Sequence, residues 1–350
     1  MTHSRLPLQW GRNGLPASPR RILLVQISAM GDQVQTLPAV SDIAARWPGI
    51  DIDWAVDARF ADIARLHPAV RKVFALPLKS AQQQRTFAGM RALWSAMRAL
   101  RTEPYDLVWD PHSVLKSAIV SRFARSSLRV GYRAQDCGGE PLAARAYHLH
   151  FTRPAGLHGT EGRRIFAQAV LDTDPARPVD YAIDQRFPHT LQPAAAQTVF
   201  LAHGASKPEK LWPLDHWQQL AERLARGGMQ LQLTWGNAEE RARAQHLIAS
   251  LPVRTAHLLD RRSLLDMLPV IAQSSLVIGV DTGFTHLAAA LRRPVVGLFV
   301  STGPELFTPT SPDLARTLGG DGVTPSVDAA WRAAQQLHPE LQRGTPIKTA

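Results

Sequence analysis

Apolar and polar positions along this chain follow two periods in alternation, and the alternation runs twice. Arg21 to Ile27 is an apolar run of the kind that forms a parallel strand buried on both faces. It breaks into Ser28-Ala-Met-Gly-Asp32, and a helical period then holds from Thr36 to Trp47, stopped by Pro48-Gly49. Strand patterns follow at 50–56, 70–76 and 105–110, with an amphipathic helix at 88–101. The stretch 131–184 is less regular, apart from a helix predicted over 159–171. The alternation restarts at Thr198, with strands at 198–202, 230–235, 276–280 and 295–299. Helices are predicted at 213–226, 238–250, 263–273, 285–291 and 327–337. Strands spaced by helices of this length imply βαβ units and parallel sheets.

Length agrees with two such blocks, because 350 residues exceed the size at which one core usually stops growing. The expected fold is α/β, two Rossmann-like domains facing a central cleft. Residues 1–20 are expected to be a disordered leader, 21–190 the first domain and 191–326 the second. The final helix, 327–340, has the option of packing back on the first domain. The boundary is expected between Phe187 and Ala196, where Pro188 and Pro193 flank polar residues.

Composition narrows the function classes. No run of eighteen apolar residues occurs, which excludes a spanning helix. Cys137 is the sole cysteine, so an internal disulfide and a thiolate metal cluster are both excluded, and the chain reads as cytoplasmic. The net charge is +11, carried by 34 Arg and 6 Lys, and favours anionic partners. The charges are scattered rather than gathered in one tract, as solvated helix faces also are. Asp51-x-Asp53 and Asp172-x-Asp174 match a metal-holding pattern, but the first lies in a strand and the second precedes a proline. No metal is expected, and no zinc-ligand spacing, GxGxxG or Walker lysine occurs. Trp94, Trp109, Trp212, Trp217 and Trp235 are expected to pack in the core rather than stack on nucleic acid.

Candidate chemistry sits at strand ends. Gly279-Val-Asp281-Thr-Gly283-Phe-Thr-His286 turns from a buried strand directly into a helix, aiming backbone N–H groups at any ligand, a geometry suited to a diphosphate. An Asp/Thr N-cap with a structural histidine is the plainer reading. His203-Gly-Ala-Ser206 through Lys210-Leu-Trp-Pro213, and Trp235-Gly-Asn-Ala-Glu-Glu240, follow two neighbouring strands and should converge on the same edge. In the first half, Asp32 stands at the matching position, where the helix dipole favours a carboxylate. It is read as an N-cap or as a general base.

In this order and spacing, these segments make the chain resemble the ADP-heptose lipopolysaccharide heptosyltransferases, glycosyltransferase family 9, and within them the heptosyltransferase I branch. Leu115-Lys116-Ser-Ala, Glu140-Pro-Leu and His216-Trp217 add to the likeness. The resemblance implies a GT-B fold, with 21–190 the acceptor-binding and 191–326 the nucleotide-sugar-binding domain. It also implies metal-independent transfer with inversion, from ADP-L-glycero-D-manno-heptose to the Kdo of Kdo2-lipid A in inner-core synthesis, with no cofactor beyond the nucleotide-sugar substrate. It makes Asp32 the base and Lys210 the group that offsets charge on the departing diphosphate. Ser206, Glu240, Asp281, Thr282, Gly283 and His286 become donor-binding, His286 with the alternative of orienting the loop. Lys116, Arg85 and Arg122 become acceptor-binding. The expected setting is the inner face of the cytoplasmic membrane, with the acidic lipid acceptor as partner, no nucleic acid, and a monomer favoured. The turn 300–304 is longer than the family's usual form, and Gly139 stands where relatives often carry a basic residue. A heptosyltransferase II-like acceptor, or a non-catalytic nucleotide-binding module, is the alternative.

Overall fold

The computed structural model describes residues 19–84, 86–153, 156–183, 197–303, 314–320 and 322–342, without the side chains of 83, 84 and 342. The predicted leader up to residue 18, Arg85, the predicted boundary at 187–196 and the end of the 300–304 turn lie outside them. The chain divides into two compact units, Met1–Ala182 and Ile183–Ala350.

The first unit builds a six-stranded parallel sheet from β1 (Arg21–Val25), β2 (Asp51–Asp57), β3 (Val70–Leu76), β4 (Leu107–Trp109), β5 (Arg129–Tyr132) and β6 (Leu149–Phe151). Its order is β3-β2-β1-β4-β5-β6. The helices are α1 (Met30–Arg46), α2 (Ala61–Leu66), α3 (Leu78–Gln84), α4 (Phe87–Ala99), α5 (Leu115–Phe123) and α6 (Gly159–Leu171). The second unit repeats the plan with β7 (Thr198–Ala202), β8 (Gln230–Leu233), β9 (Ala256–Leu258), β10 (Leu276–Val280), β11 (Val295–Phe299) and β12 (Ala315–Gly319). They are ordered β12-β11-β10-β7-β8-β9, and the helices are α7 (Leu214–Arg226), α8 (Ala238–Ala249), α9 (Leu264–Gln273), α10 (Gly283–Ala290) and α11 (Val327–Leu337). Read from its own first strand, each sheet has the doubly wound 3-2-1-4-5-6 order.

The buried strands were legible because both faces are apolar: Ile22 to Val25 and Leu276 to Val280 are almost wholly shielded, Gly279 included. The start of α1 was not. Its first turns bury Gln33, Gln35 and Thr36, so no apolar period marks the six residues before Thr36. β5, β6, β9 and β12 were also missed, since strands of three to five residues offer too few positions for a period to register. The final helix, α11, packs on α7, β10, β11 and β12 of its own unit. Its Asp328 meets Arg223 of α7 at 2.6 Å.

Trp109, Trp212 and Trp217 lie in the core as expected, the last two edge to face with centroids 5.1 Å apart. Trp235 is half-buried and donates from Nε1 to the Leu259 carbonyl at 3.0 Å. Trp94 departs from the expectation: it is 53% exposed, because it lies on the solvent face of α4 while Met97 lies on the core face. Asp51 and Asp53 hold arginines in place. Asp51 pairs with Arg21 at 2.8 Å, and buried Asp53 pairs with Arg71 at 2.6 Å and accepts from the Tyr105 hydroxyl.

Gly131 in β5 is closely packed against an aromatic ring. A Cβ there would stand 2.3 Å from the Tyr147 ring, whose hydroxyl donates to buried Asp110 at 2.7 Å. Gly131→Ala is therefore expected to cost about 2–3 kcal/mol by overpacking. Urea denaturation of the two forms measures it, and equal midpoints would show that the ring moves aside freely.

Candidate active site

In a doubly wound parallel sheet, the loops after the first and fourth strands leave in opposite directions and open a crevice at the strand ends. These are the loops after β1 and β4 in the first unit and after β7 and β10 in the second. Most of the nominated residues gather at these two edges.

In the first unit Asp32 is the third residue of α1. One carboxylate oxygen reaches back to accept from the Ala29 N–H at 2.8 Å. The other accepts from Arg163 of α6 at 2.6 Å. The carboxyl is one-third exposed. Burial works to raise its pKa, but the Arg163 guanidinium and the Ala29 amide outweigh that and hold it below the usual carboxylate range. Asp32 is thus not the N-cap, which is Ala29; from the third position it ties down that residue's N–H and remains ionised, and each oxygen keeps a second acceptor site. Arg163 is locked by further bonds to the Gly159 carbonyl at 2.7 Å and Gln35 at 3.2 Å.

The loop after β4 brings His112 and Lys116 to this edge. Ile27 donates its N–H to His112 Nδ1, and burial lowers the imidazole to about 3 despite the nearby Asp32 charge, so it is neutral at physiological pH. Lys116 is exposed, and its ammonium donates to the Ser28 hydroxyl, joining the two loops. Asp110, below them, is fully enclosed by N–H and O–H donors from His112, Ser113, Ser121 and Tyr147. Burial still pushes it up to about 6. Glu140 of the Glu-Pro-Leu turn accepts the Leu115 N–H at 2.6 Å and so fixes the start of α5.

Arg122, a second acceptor candidate, is not brought to Lys116. Arg122 lies six residues along α5, roughly 9 Å away at 1.5 Å per residue, at the opposite edge of the sheet. There it lines a cavity with residues that precede β4 and β5. The expectation that Arg122 joins Lys116 is corrected on this ground: a helix antiparallel to its strands separates its two ends. Arg85 lies outside the described residues.

In the second unit the loops after four strands meet. Lys210 places its ammonium 2.6 Å from Asp281, and Thr302, from the lengthened turn after β11, donates to the same carboxylate oxygen at 2.8 Å. His286 of α10 stands 3.7 Å from the other oxygen. Burial favours the neutral acid, yet His286 and Lys210 hold Asp281 far below the ordinary carboxylate range. Thr282 is the N-cap of α10 without a side-chain cap bond, and its carbonyl accepts from Thr285 and His286. Gly283 opens the helix. Glu240 accepts the Gly236 N–H at 2.6 Å and lies against Gly204, where a Cβ would meet its carboxylate at 2.8 Å. His203 bonds to the Thr234 carbonyl at 3.1 Å, joining the loops after β7 and β8. Ser206 is exposed on the first of these loops.

Arg163, His112 and Thr302 escaped sequence reasoning. Arg163 acts on a residue 131 positions away, and no local pattern marks it. Thr302 lay in a turn already noted for its length, so a hydroxyl there was the available signal.

Two doubly wound parallel units, one presenting an ionised carboxylate and the other a lysine–carboxylate pair beside a helix amino terminus, define the GT-B class of glycosyltransferase. The chain belongs to glycosyltransferase family 9 (heptosyltransferase), whose profile matches residues 93–331. It is 38% identical over 286 residues to lipopolysaccharide heptosyltransferase 1 of Pseudomonas aeruginosa, covering 81% of this chain and 79% of that one. It is 35% identical to the Escherichia coli protein of the same name, over 82% of this chain and 90% of the other. The solved structure of Escherichia coli heptosyltransferase WaaC with ADP superposes with a TM-score of 0.80 at 29% identity, covering 91% of this chain and 99% of that chain.

The Lys210–Asp281 pair sets a pH dependence. Because the folded-state pKa of Asp281 is depressed, its stabilisation is fully present above the unfolded value, about 4, and is lost progressively as pH falls from there towards the folded value, far below the ordinary carboxylate range. Asp281→Asn should cost about 2 kcal/mol at pH 7, and the gap should narrow by about 1 kcal/mol by pH 3. Thermal melts at both pH values decide it; a gap independent of pH would mean the pair's charge contributes nothing.

Proposed function

We propose that this chain transfers heptose from ADP-L-glycero-D-manno-heptose to the Kdo of Kdo2-lipid A in the lipopolysaccharide inner core, with inversion and without a metal, at the inner face of the cytoplasmic membrane. The observation that carries the reading is the Lys210–Asp281 pair at the strand ends beside the start of α10. An ammonium has three donors; Asp281 takes one, leaving two for diphosphate oxygens. The first N–H groups of α10 add a second source of positive potential. The likeness to relatives named lipopolysaccharide heptosyltransferase 1, and to WaaC with ADP, supports the choice of donor and acceptor.

In this reaction the acceptor hydroxyl oxygen bonds to the anomeric carbon on the face opposite the diphosphate. Its proton passes to the Asp32 carboxylate. The bond from the anomeric carbon to the phosphate oxygen breaks, and its electron pair leaves with ADP. Lys210 offsets the charge that develops there. Asp32 suits a late proton transfer: Arg163 keeps it ionised, and the hydroxyl becomes acidic only as its oxygen bonds to carbon. Asp281 and His286 hold donor hydroxyls or the loop that presents them, Glu240 lies on the nucleotide side with Ser206, and Lys116 meets the acceptor's anionic groups.

Asp32→Asn keeps the shape and one of the two hydrogen bonds that the carboxylate accepts, but removes proton acceptance, and should lower turnover roughly 10²–10⁴-fold with donor affinity nearly unchanged. Near-normal turnover would remove Asp32 from the role. Lys116→Ala should raise KM for the acceptor and leave the donor KM alone, whereas Lys210→Ala should act on donor binding and turnover. Steady-state kinetics with each substrate varied separates them, and equal effects of Lys116→Ala on both substrates would place the acceptor elsewhere. Activity should survive EDTA. Full loss restored by Mg²⁺ would revive a metal-dependent transfer.

A further inference from the structure

Residues 78–101 hold five basic side chains, Lys79, Arg85, Arg91, Arg98 and Arg101, and no acidic one. Within them α4 turns an unusual face to solvent. At 100° per residue, Phe87, Arg91, Trp94 and Arg98 share one side, Met90 lies at its margin, and Leu93 and Met97 lie towards the core. Phe87 is 85% exposed, Met90 55% and Trp94 53%. Buried residues would normally fill such positions, so the exposure of three large apolar groups in one stripe is the anomaly. The stripe continues into α5. Trp94 meets Phe123 edge to face at 5.4 Å, and Ile119 on that helix is 63% exposed. Arg98 and Arg101 lie over the Trp94 and Phe123 rings.

Beside the stripe is a cavity of about 600 Å³ lined by Arg101, Arg122, Arg125, Ser126, Ser127 and Arg129. Asp106 lines it too, but its carboxylate accepts the N–H groups of Arg20 and Arg21. Burial and then the charge of Arg122 both lower the Arg129 pKa, a sign that positive charge is crowded there.

We propose that the stripe of Phe87, Met90 and Trp94 on α4, with Ile119 on α5, enters the surface of an anionic bilayer, and that the arginine-lined cavity takes a lipid phosphate. The proposal rests on the reading that the acceptor is a lipid, and adds which surface meets the membrane. Aromatic and Met side chains seat at the boundary between headgroups and acyl chains, and arginines beside them meet phosphates bidentately. A second copy of this chain fits poorly, since apposing the stripe to itself would bring like charges together. Lys116, at the other end of α5, would then hold the anionic groups of a lipid whose acyl chains remain in the bilayer.

The test uses the full chain in co-sedimentation with phosphatidylglycerol-containing vesicles, with phosphatidylcholine vesicles alongside, and transfer assays on the acceptor in vesicles and on the same acceptor stripped of its acyl chains. Phe87→Glu with Met90→Glu should lower vesicle binding at least tenfold and slow transfer to the embedded acceptor, leaving transfer to the stripped one unchanged. Arg98→Glu with Arg122→Glu should lower binding at least fivefold to anionic vesicles and hardly at all to phosphatidylcholine. Melting midpoints show that the variants fold. Unaltered vesicle binding in both variants overturns the proposal, as does a dimer in size-exclusion chromatography that the apolar variant dissociates. Binding to random DNA without binding to vesicles also overturns it. Vesicle binding with the expected losses but no heptose transfer to either acceptor would support this surface while sinking the proposed reaction. Transfer to the stripped acceptor without vesicle binding would do the reverse.

Discussion

Parallel pairing is the constraint on which the rest of this molecule hangs. When all strands of a sheet run one way, each connection must return along a face, and every strand-to-helix loop falls at one edge. Both units obey this with the same strand order. Two consequences follow. The central strands, β1, β4, β7 and β10, are shielded on both sides and so mainly apolar, and the polar chemistry is displaced to the loops at their ends. Residues as distant in sequence as Lys210 and Asp281, or Ser28 and Lys116, meet because their strands are neighbours in the sheet.

At those edges the same residue type is put to three uses. Asp32 and Asp281 each receive a cation from a remote segment, Arg163 and Lys210, and stay ionised although their sites are partly dry. Asp110, one sheet strand from Asp32, receives only neutral donors, and desolvation wins, raising it to about 6. Asp53 receives an arginine and a tyrosine hydroxyl and stays raised, because burial there outweighs both. Which carboxylate remains available as a base or an ion partner therefore depends on the company that tertiary contacts supply, not on its place in a motif.

The helices divide their labour along their length. α5 starts at the candidate site, where Glu140 fixes its first turn and Lys116 reaches Ser28, and ends at the arginine-lined cavity on the other edge of the sheet. A helix that lies antiparallel to its strands necessarily links the two edges. Its neighbour α4 buries one side against the sheet and leaves the other both apolar and basic.

The two-domain α/β plan, the buried strands and most site segments were legible in the sequence, because period and strand-end position are local properties. Ser28 to Asp32, Ser206 to Lys210, Glu240 and Asp281 to His286 all announced themselves as polar or glycine-bearing breaks after apolar runs. Tertiary structure alone decided the partners. That Arg163 holds Asp32, that Lys210 holds Asp281, that Thr302 completes that pair and that Arg122 parts from Lys116 all depend on contacts between distant segments. It also decided that Trp94 faces solvent, since a helix with apolar residues on two sides, Phe87 and Trp94 on one and Leu93 and Met97 on the other, does not say which side the sheet will cover. A one-dimensional pattern encodes the burial of each position, and only the packing of whole elements converts that burial into distances between charges.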